Sequence, residues 1–218
     1  MPQLVALQGH QVSAADGTML YVTDYMLPAA QARGSVMVTH GLGEHSGRYR
    51  HLAGFFNECG LSVCAHDHRG HGRSQGKRGD VTNGDPTLQD AEIIIDDFST
   101  RYAHPPFLFG HSMGGLFAAR FALAKLSPLR GLMLASIAYC QSHAGSLSIP
   151  ALMLVAGNDR LVDIDGSRQF FAHIPPRMAE IHVYNGMYHE IFNEPDARLP
   201  RADLKQWVEE VGLTVRFR

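Results

Sequence analysis

Pro106-Phe107-Leu108-Phe109-Gly110-His111-Ser112-Met113-Gly114-Gly115-Leu116-Phe117 is the stretch that decides how this chain is to be read. Pro106 to Phe109 is a short apolar run of strand type, and Met113 to Leu126 is a helix-length run that is apolar nearly all round. Between them stands a Gly-x-Ser-x-Gly pattern. In a chain of this composition chance yields that pattern in about one sequence in eight, so the pattern alone says little. Its position says more. A turn from strand directly into helix must be sharp, glycines at 110 and 114 permit it, and the serine hydroxyl then projects from the sheet edge at a helix N-terminus. The spacing nominates Ser112 as a nucleophile, against the plainer reading of a glycine-rich turn with a passive serine.

A serine hydroxyl is a poor nucleophile unless a base takes its proton and an acid orients that base. Behind a strand–turn–helix nucleophile the acid and then the base follow in chain order, each just past a later strand. The apolar run Ala151 to Ala156 ends in Gly157-Asn158-Asp159-Arg160, and Glu180 to Tyr184 ends in Asn185-Gly186-Met187-Tyr188-His189. Asp159 and His189 are thus expected on loops at the same sheet edge as Ser112. Asp163 is the rival acid, but a carboxylate at the start of the next helix is its more natural role. A tetrahedral oxyanion also needs main-chain donors. The Met113 amide follows the nucleophile directly. The second donor is expected from His40-Gly41-Leu42-Gly43, after the strand Ser35 to Thr39, and Leu42 is the chosen amide.

Further strands are expected at Leu4 to Val12, Met19 to Met26, Ser62 to Ala65 and Leu129 to Ala135, the first two joined by Asp16-Gly17 as a hairpin. Helices are expected at Arg48 to Asn57, from Asp85-Pro86-Thr87 onward, and at Arg201 to Val211. Strands alternating with helices imply an α/β domain around a mostly parallel sheet. Two hundred and eighteen residues suit one domain, 1–218. Hydrophobic residues at 45% and charged residues at 18% rule out wholesale disorder. Nineteen basic against twenty-one acidic side chains, net −2, offer no electrostatic footprint for nucleic acid. The uncharged stretch Ile149 to Ala156 is far too short to span a bilayer, and no basic-then-apolar leader opens the chain. Cys59, Cys64 and Cys140 read as buried thiols in a reducing compartment. The expectation is a soluble, cytoplasmic, single-domain protein that needs no cofactor.

Four ordered motifs carry a family likeness: His40-Gly41-Leu42-Gly43-Glu44-His45-Ser46-Gly47-Arg48-Tyr49, Asp67-His68-Arg69-Gly70-His71-Gly72-Arg73-Ser74, Gly110-His111-Ser112-Met113-Gly114-Gly115, and Gly157-Asn158-Asp159-Arg160-Leu161-Val162-Asp163. Together they resemble the monoacylglycerol lipase/lysophospholipase branch of the α/β-hydrolases. The resemblance implies the α/β-hydrolase fold, with helices on both faces of the sheet, and hydrolysis of one acyl ester on a glycerol or lysolipid head. It carries the triad onto Ser112, Asp159 and His189 and the oxyanion hole onto the Leu42 and Met113 amides. It also sets Glu44 and Arg48 near the alcohol head group. Phe192 stands three residues past His189, where animal members of the branch carry another histidine.

The branch has a cap of several dozen residues between the strand after the nucleophile helix and the strand of the acid. Here only Ile137 to Ser148 separates Ala135-Ser136 from Ile149-Pro150, barely the length a parallel crossover needs. The expectation is a cap that is short or missing near Ser136–Ile137, with a naturally capless esterase as the alternative. The expected partner is a small acyl ester or lipid, with transient membrane-surface contact through a cap. Tyr139, Leu147 and Met187 are acyl-pocket candidates that core packing explains equally well. His66-Asp67-His68 with His71 invites a metal reading, but its spacing fits no recognised ligand set. His111 reads as structural, and Asp67 with Arg69 as local ties of their glycine-rich loop. Two other classes stay open: a thioesterase, amidase or perhydrolase on the same three residues, and a non-catalytic ligand receptor.

Overall fold

The computed structural model describes residues 7–81, 85–101, 104–137 and 144–214. Eight strands form one sheet in the order β1-β2-β4-β3-β5-β6-β7-β8. Their ranges are β1 Leu7–Ser13, β2 Met19–Tyr25, β3 Gly34–Thr39, β4 Leu61–His66, β5 Phe107–His111, β6 Gly131–Ala135, β7 Ala151–Ala156 and β8 Ala179–Tyr184. The first two make the expected hairpin, and β2 meets β4 antiparallel. From β4 through β8 every pairing is parallel. The sequence places this architecture correctly and misses chiefly at element ends: β5 continues through Gly110 to His111 rather than stopping at Phe109.

Continuous apolar strands imply cover on both faces, and alternate residues of one strand do enter opposite cores. Leu108, Leu132, Leu134, Met153 and Val155 face α2 (Asp85–Ser99), α3 (Met113–Ala124) and α4 (Ile164–His173). Phe107, Phe109, Met133, Leu152 and Leu154 face α1 (Arg50–Glu58) and α5 (Arg198–Thr214). A 3-10 turn, Ser46–Tyr49, leads into α1. The closing helix begins three residues earlier than the sequence suggests. Pro200 falls in its first turn, where a missing N–H removes no intrahelical bond.

Leu147 and Met187 are buried in the two cores, the plainer of their two readings. Cys64 is buried in β4 and Cys59 caps α1, both as free thiols. Tyr139, Cys140 and the rest of 138–143 lie outside the described residues. Among the described residues no helix is long and apolar enough to cross a membrane.

Candidate active site

The C-terminal ends of β3, β5, β7 and β8 bring the nominated residues to one edge of the sheet. Ser112 links β5 to α3 with φ 53° and ψ −121°, a left-sided backbone that a non-glycine residue rarely adopts. Its amide donates to Ala135 O of β6 at 2.9 Å, which fixes the turn to the neighbouring strand. Space there is closed. A Cβ on Gly114 would lie 2.4 Å from Thr39 O, so only glycine lets α3 start this close to the end of β3. Thr39 Oγ1 shares its proton between Phe109 O at 2.9 Å and Gly114 O at 3.0 Å, clamping the same junction. The Ser112 side chain makes no cap bond to α3. The first amides of the helix, Met113 among them, have no intrahelical acceptor.

Of the two candidate acids, the one that meets the histidine is Asp159. Its Oδ2 lies 2.7 Å from His189 Nδ1, while Oδ1 accepts from the amides of Leu161 at 2.9 Å and Val162 at 3.0 Å. The carboxylate is 3% exposed. Both oxygens are therefore committed, and the carboxylate, which only accepts, holds the imidazole through Nδ1 as donor. Asp163 is instead the N-cap of α4, accepting from Asp165 N at 2.9 Å.

Gly41 packs against Ser112: a Cβ on it would sit 3.3 Å from Ser112 Cβ. The next residue, Leu42, is 61% exposed, and the role expected of it, as an oxyanion donor, is a main-chain one. Glu44 is 12% exposed and densely bonded. Its Oε2 accepts from Gly41 N at 2.8 Å and Tyr49 Oη at 2.7 Å and lies 3.3 Å from His111 Nδ1. Its Oε1 lies 3.0 Å from Arg48 Nε. Burial pushes the carboxyl up, but the bonds from His111 and Tyr49 outweigh it and leave the Glu44 pKa at about 2. Arg48 also reaches both carboxylate oxygens of Glu190 at 2.7 Å. Glu44, Arg48, Tyr49, Glu190 and Phe192 border one small cavity of about 20 Å³, room for a single water. Glu190 went unremarked in the sequence; its only signal there is its place directly after His189.

Beneath the Gly41 loop lies a chain of imidazoles whose protons are fixed by their partners. His40 Nδ1 faces Gly41 O at 2.7 Å and must donate, so Nε2 accepts from His68 N at 3.0 Å. His68 Nε2 faces His40 O at 3.1 Å and must donate, so Nδ1 accepts from His66 Nε2 at 3.3 Å. Burial drives all three toward the neutral form: His40 down to about 4, His66 to about 3, and His68 well below its ordinary value. Among the described residues no cluster of three or more His, Cys, Asp or Glu is arranged to hold a metal. Asp67 ties its loop as expected, accepting from Ser46 N and Arg73 N, both at 2.7 Å. Arg69 does not: its Nε and Nη2 fork onto Asp90 of α2 at 2.6 and 2.7 Å, and its Nη1 reaches Asp16 at 3.0 Å.

Residues 30–138 and 133–196 match the model of the family described as "Serine aminopeptidase, S33", two pieces that meet at the end of β6. A monoacylglycerol lipase of Mycolicibacterium smegmatis is 29% identical, the alignment covering 89% of this chain and 95% of that protein. That alignment runs to 272 positions, so the relative carries several dozen residues without a counterpart here. Human monoglyceride lipase is 34% identical over 84% of this chain and 61% of its own length. The chain thus spans about three fifths of that relative. Among solved structures, the Paleococcus ferrophilus monoacylglycerol lipase superposes with a TM-score of 0.77 at 27% identity, covering 88% of this chain and 99% of that one. A soluble variant of the Saccharomyces cerevisiae monoglyceride lipase gives 0.85 at 16% identity, covering 97% of each chain, a likeness of fold.

Proposed function

The chain belongs to the serine aminopeptidase S33 family of α/β-hydrolases, and on that premise we propose that it is a serine carboxylester hydrolase cleaving one acyl ester, of monoacylglycerol or lysophospholipid type. The observation that carries this reading is the 2.7 Å contact of His189 Nδ1 with Asp159 at the sheet edge where Ser112 turns. With Nδ1 engaged, His189 Nε2 takes the Ser112 proton as the hydroxyl attacks the acyl carbon. Asp159 stabilises the imidazolium so formed. The Leu42 and Met113 amides hold the oxyanion, each worth about 3 kcal/mol at the transition state. Collapse expels the alcohol, which leaves with the proton from His189, and water repeats the cycle on the acyl-enzyme.

On this reading Arg48 and Glu190, 43% and 41% exposed, are the polar groups nearest the alcohol head, and Phe192 adds only apolar surface beside them. The relatives' extra residues are assigned to the connection after β6, which leaves one domain with little or no cap. Two of the three cysteines are buried free thiols, which suits the cytoplasmic setting assigned to the enzyme.

The family description favours a second reading, amide hydrolysis on the same residues. Titrating released acid from a long-chain monoacylglycerol, a lysophospholipid and an aminoacyl anilide separates the two. Turnover of either lipid with an inert anilide upholds the ester reading. Turnover of the anilide alone overturns it.

A further inference from the structure

Glu44 touches two of the loops that carry the candidate chemistry and reaches a third through His111. Its carboxylate accepts the Gly41 N–H, which belongs to the peptide unit one before that of the Leu42 amide. The same Oε2 faces His111 Nδ1, and His111 is the neighbour of Ser112. The far side of His111 holds the third loop: Nε2 lies 3.1 Å from His189 O, a carbonyl that accepts only, so this nitrogen donates. The rings of His111 and His189 also pack, with centroids 4.8 Å apart. Tyr49 completes the set, donating its hydroxyl proton to Glu44 while its oxygen lies 3.0 Å from His111 Nδ1.

An alcohol ligand would find little of Glu44 free. Oε2 already meets three protein groups and Oε1 meets Arg48, in a side chain that is mostly buried. From this convergence we infer that Glu44 is a positioning residue, whose carboxylate orients the His40-Gly41 peptide, one unit before the Leu42 amide, and through His111 the backbone of His189, rather than a ligand of the substrate's head group. The inference rests on the serine hydrolase reading above and names which buried group sets its geometry. A displacement of about 1 Å in such a constellation costs up to a hundredfold in rate.

The experiment measures kcat and KM of wild type, E44Q and E44A on a p-nitrophenyl acyl ester, which has no glycerol, and on a monoacylglycerol. The inference predicts that kcat falls about tenfold to a hundredfold for E44A on both esters, with KM little changed. E44Q falls less, because its amide oxygen still accepts the Gly41 N–H. If E44A does not fold, E44Q carries the test by the same split between kcat and KM. Unchanged kcat on the p-nitrophenyl ester, with a raised KM for the monoacylglycerol alone, is the behaviour of a head-group ligand and overturns the inference. A wild type inert on both esters overturns the hydrolase reading and this inference with it. An active wild type beside unaffected Glu44 variants overturns the inference alone.

Discussion

Asp159 holds His189 with one oxygen and its own loop with the other: Oδ2 lies 2.7 Å from the imidazole, and Oδ1 accepts from Leu161 and Val162. Asp163, four residues on, spends its carboxylate on the first turn of α4. The two acids should therefore separate cleanly under substitution. Asp159→Asn is expected to lower kcat by about 10⁴, through loss of the imidazole's tautomer and of its charge partner. Asp163→Ala is expected to keep kcat and to lose about 1 kcal/mol of stability with the cap. Steady-state kinetics with thermal melts on both variants checks this, and a reversed pattern refutes the assignment.

Acid should unfold this protein earlier than its carboxylates alone would allow. His40 and His66 have folded pKa values of about 4 and 3 against an ordinary 6.5, because burial disfavours their charged forms. For a depressed histidine the unfolded chain binds the proton first. Stability is whole above pH 6.5 and is lost as pH falls toward the folded value. At pH 5 the loss is about 2 kcal/mol for each of the two. Glu44, whose ordinary value is 4.5 and whose folded value is about 2, contributes only below this window. Urea midpoints at pH 7, 6 and 5 should fall progressively, and a flat series would contradict the neutral imidazole chain.

Gly114→Ala tests the closeness of α3 to β3. Helix propensity favours alanine by about 1 kcal/mol. The added Cβ, however, would meet Thr39 O at 2.4 Å and His40 O at 2.5 Å, both main chain that cannot swing aside. Steric cost should decide the sign, with a net loss of about 1–3 kcal/mol and impaired turnover. A melt at or above the wild-type temperature would show that the junction is looser than described.

Arg69→Ala leaves Asp90, whose side chain is 4% exposed, without its forked partner. An unpaired buried carboxylate costs about 3–5 kcal/mol, reduced here because Arg69 itself is partly open to water. The double variant Arg69→Ala, Asp90→Ala should be more stable than Arg69→Ala alone. Equal stability of single and double variants would remove the ion pair from the account.

What the sequence discloses of this molecule is whatever local spacing encodes. Strand–glycine–serine–glycine–helix at 107–124 is a local statement about a sharp turn, and the turn is where it was expected. Asp159 and His189 are legible because each lies in the short loop after a strand-type run, Ala151 to Ala156 and Glu180 to Tyr184, and the two runs pair in parallel. The separation of Asp159 from Asp163 is likewise a matter of distance from a helix start. The fork of Arg69 onto Asp90 spans twenty-one positions and depends on how α2 lies against the loop after β4, which no local pattern encodes. The junction at Glu44 is hidden for the same reason. Its partners Gly41 and Tyr49 are near in sequence, but His111 comes from a different strand end and His189 from another still.

The central claim is that Ser112 carries the acyl group, and the most direct measurement is hydrolysis of p-nitrophenyl esters from acetyl to palmitoyl by wild type and Ser112→Ala, each first shown to be folded. Loss of such a nucleophile costs on the order of 10⁶ in turnover. The account predicts turnover by the wild type and none above background for the variant across the whole series. Retained activity in Ser112→Ala, or an inert wild type, would contradict it.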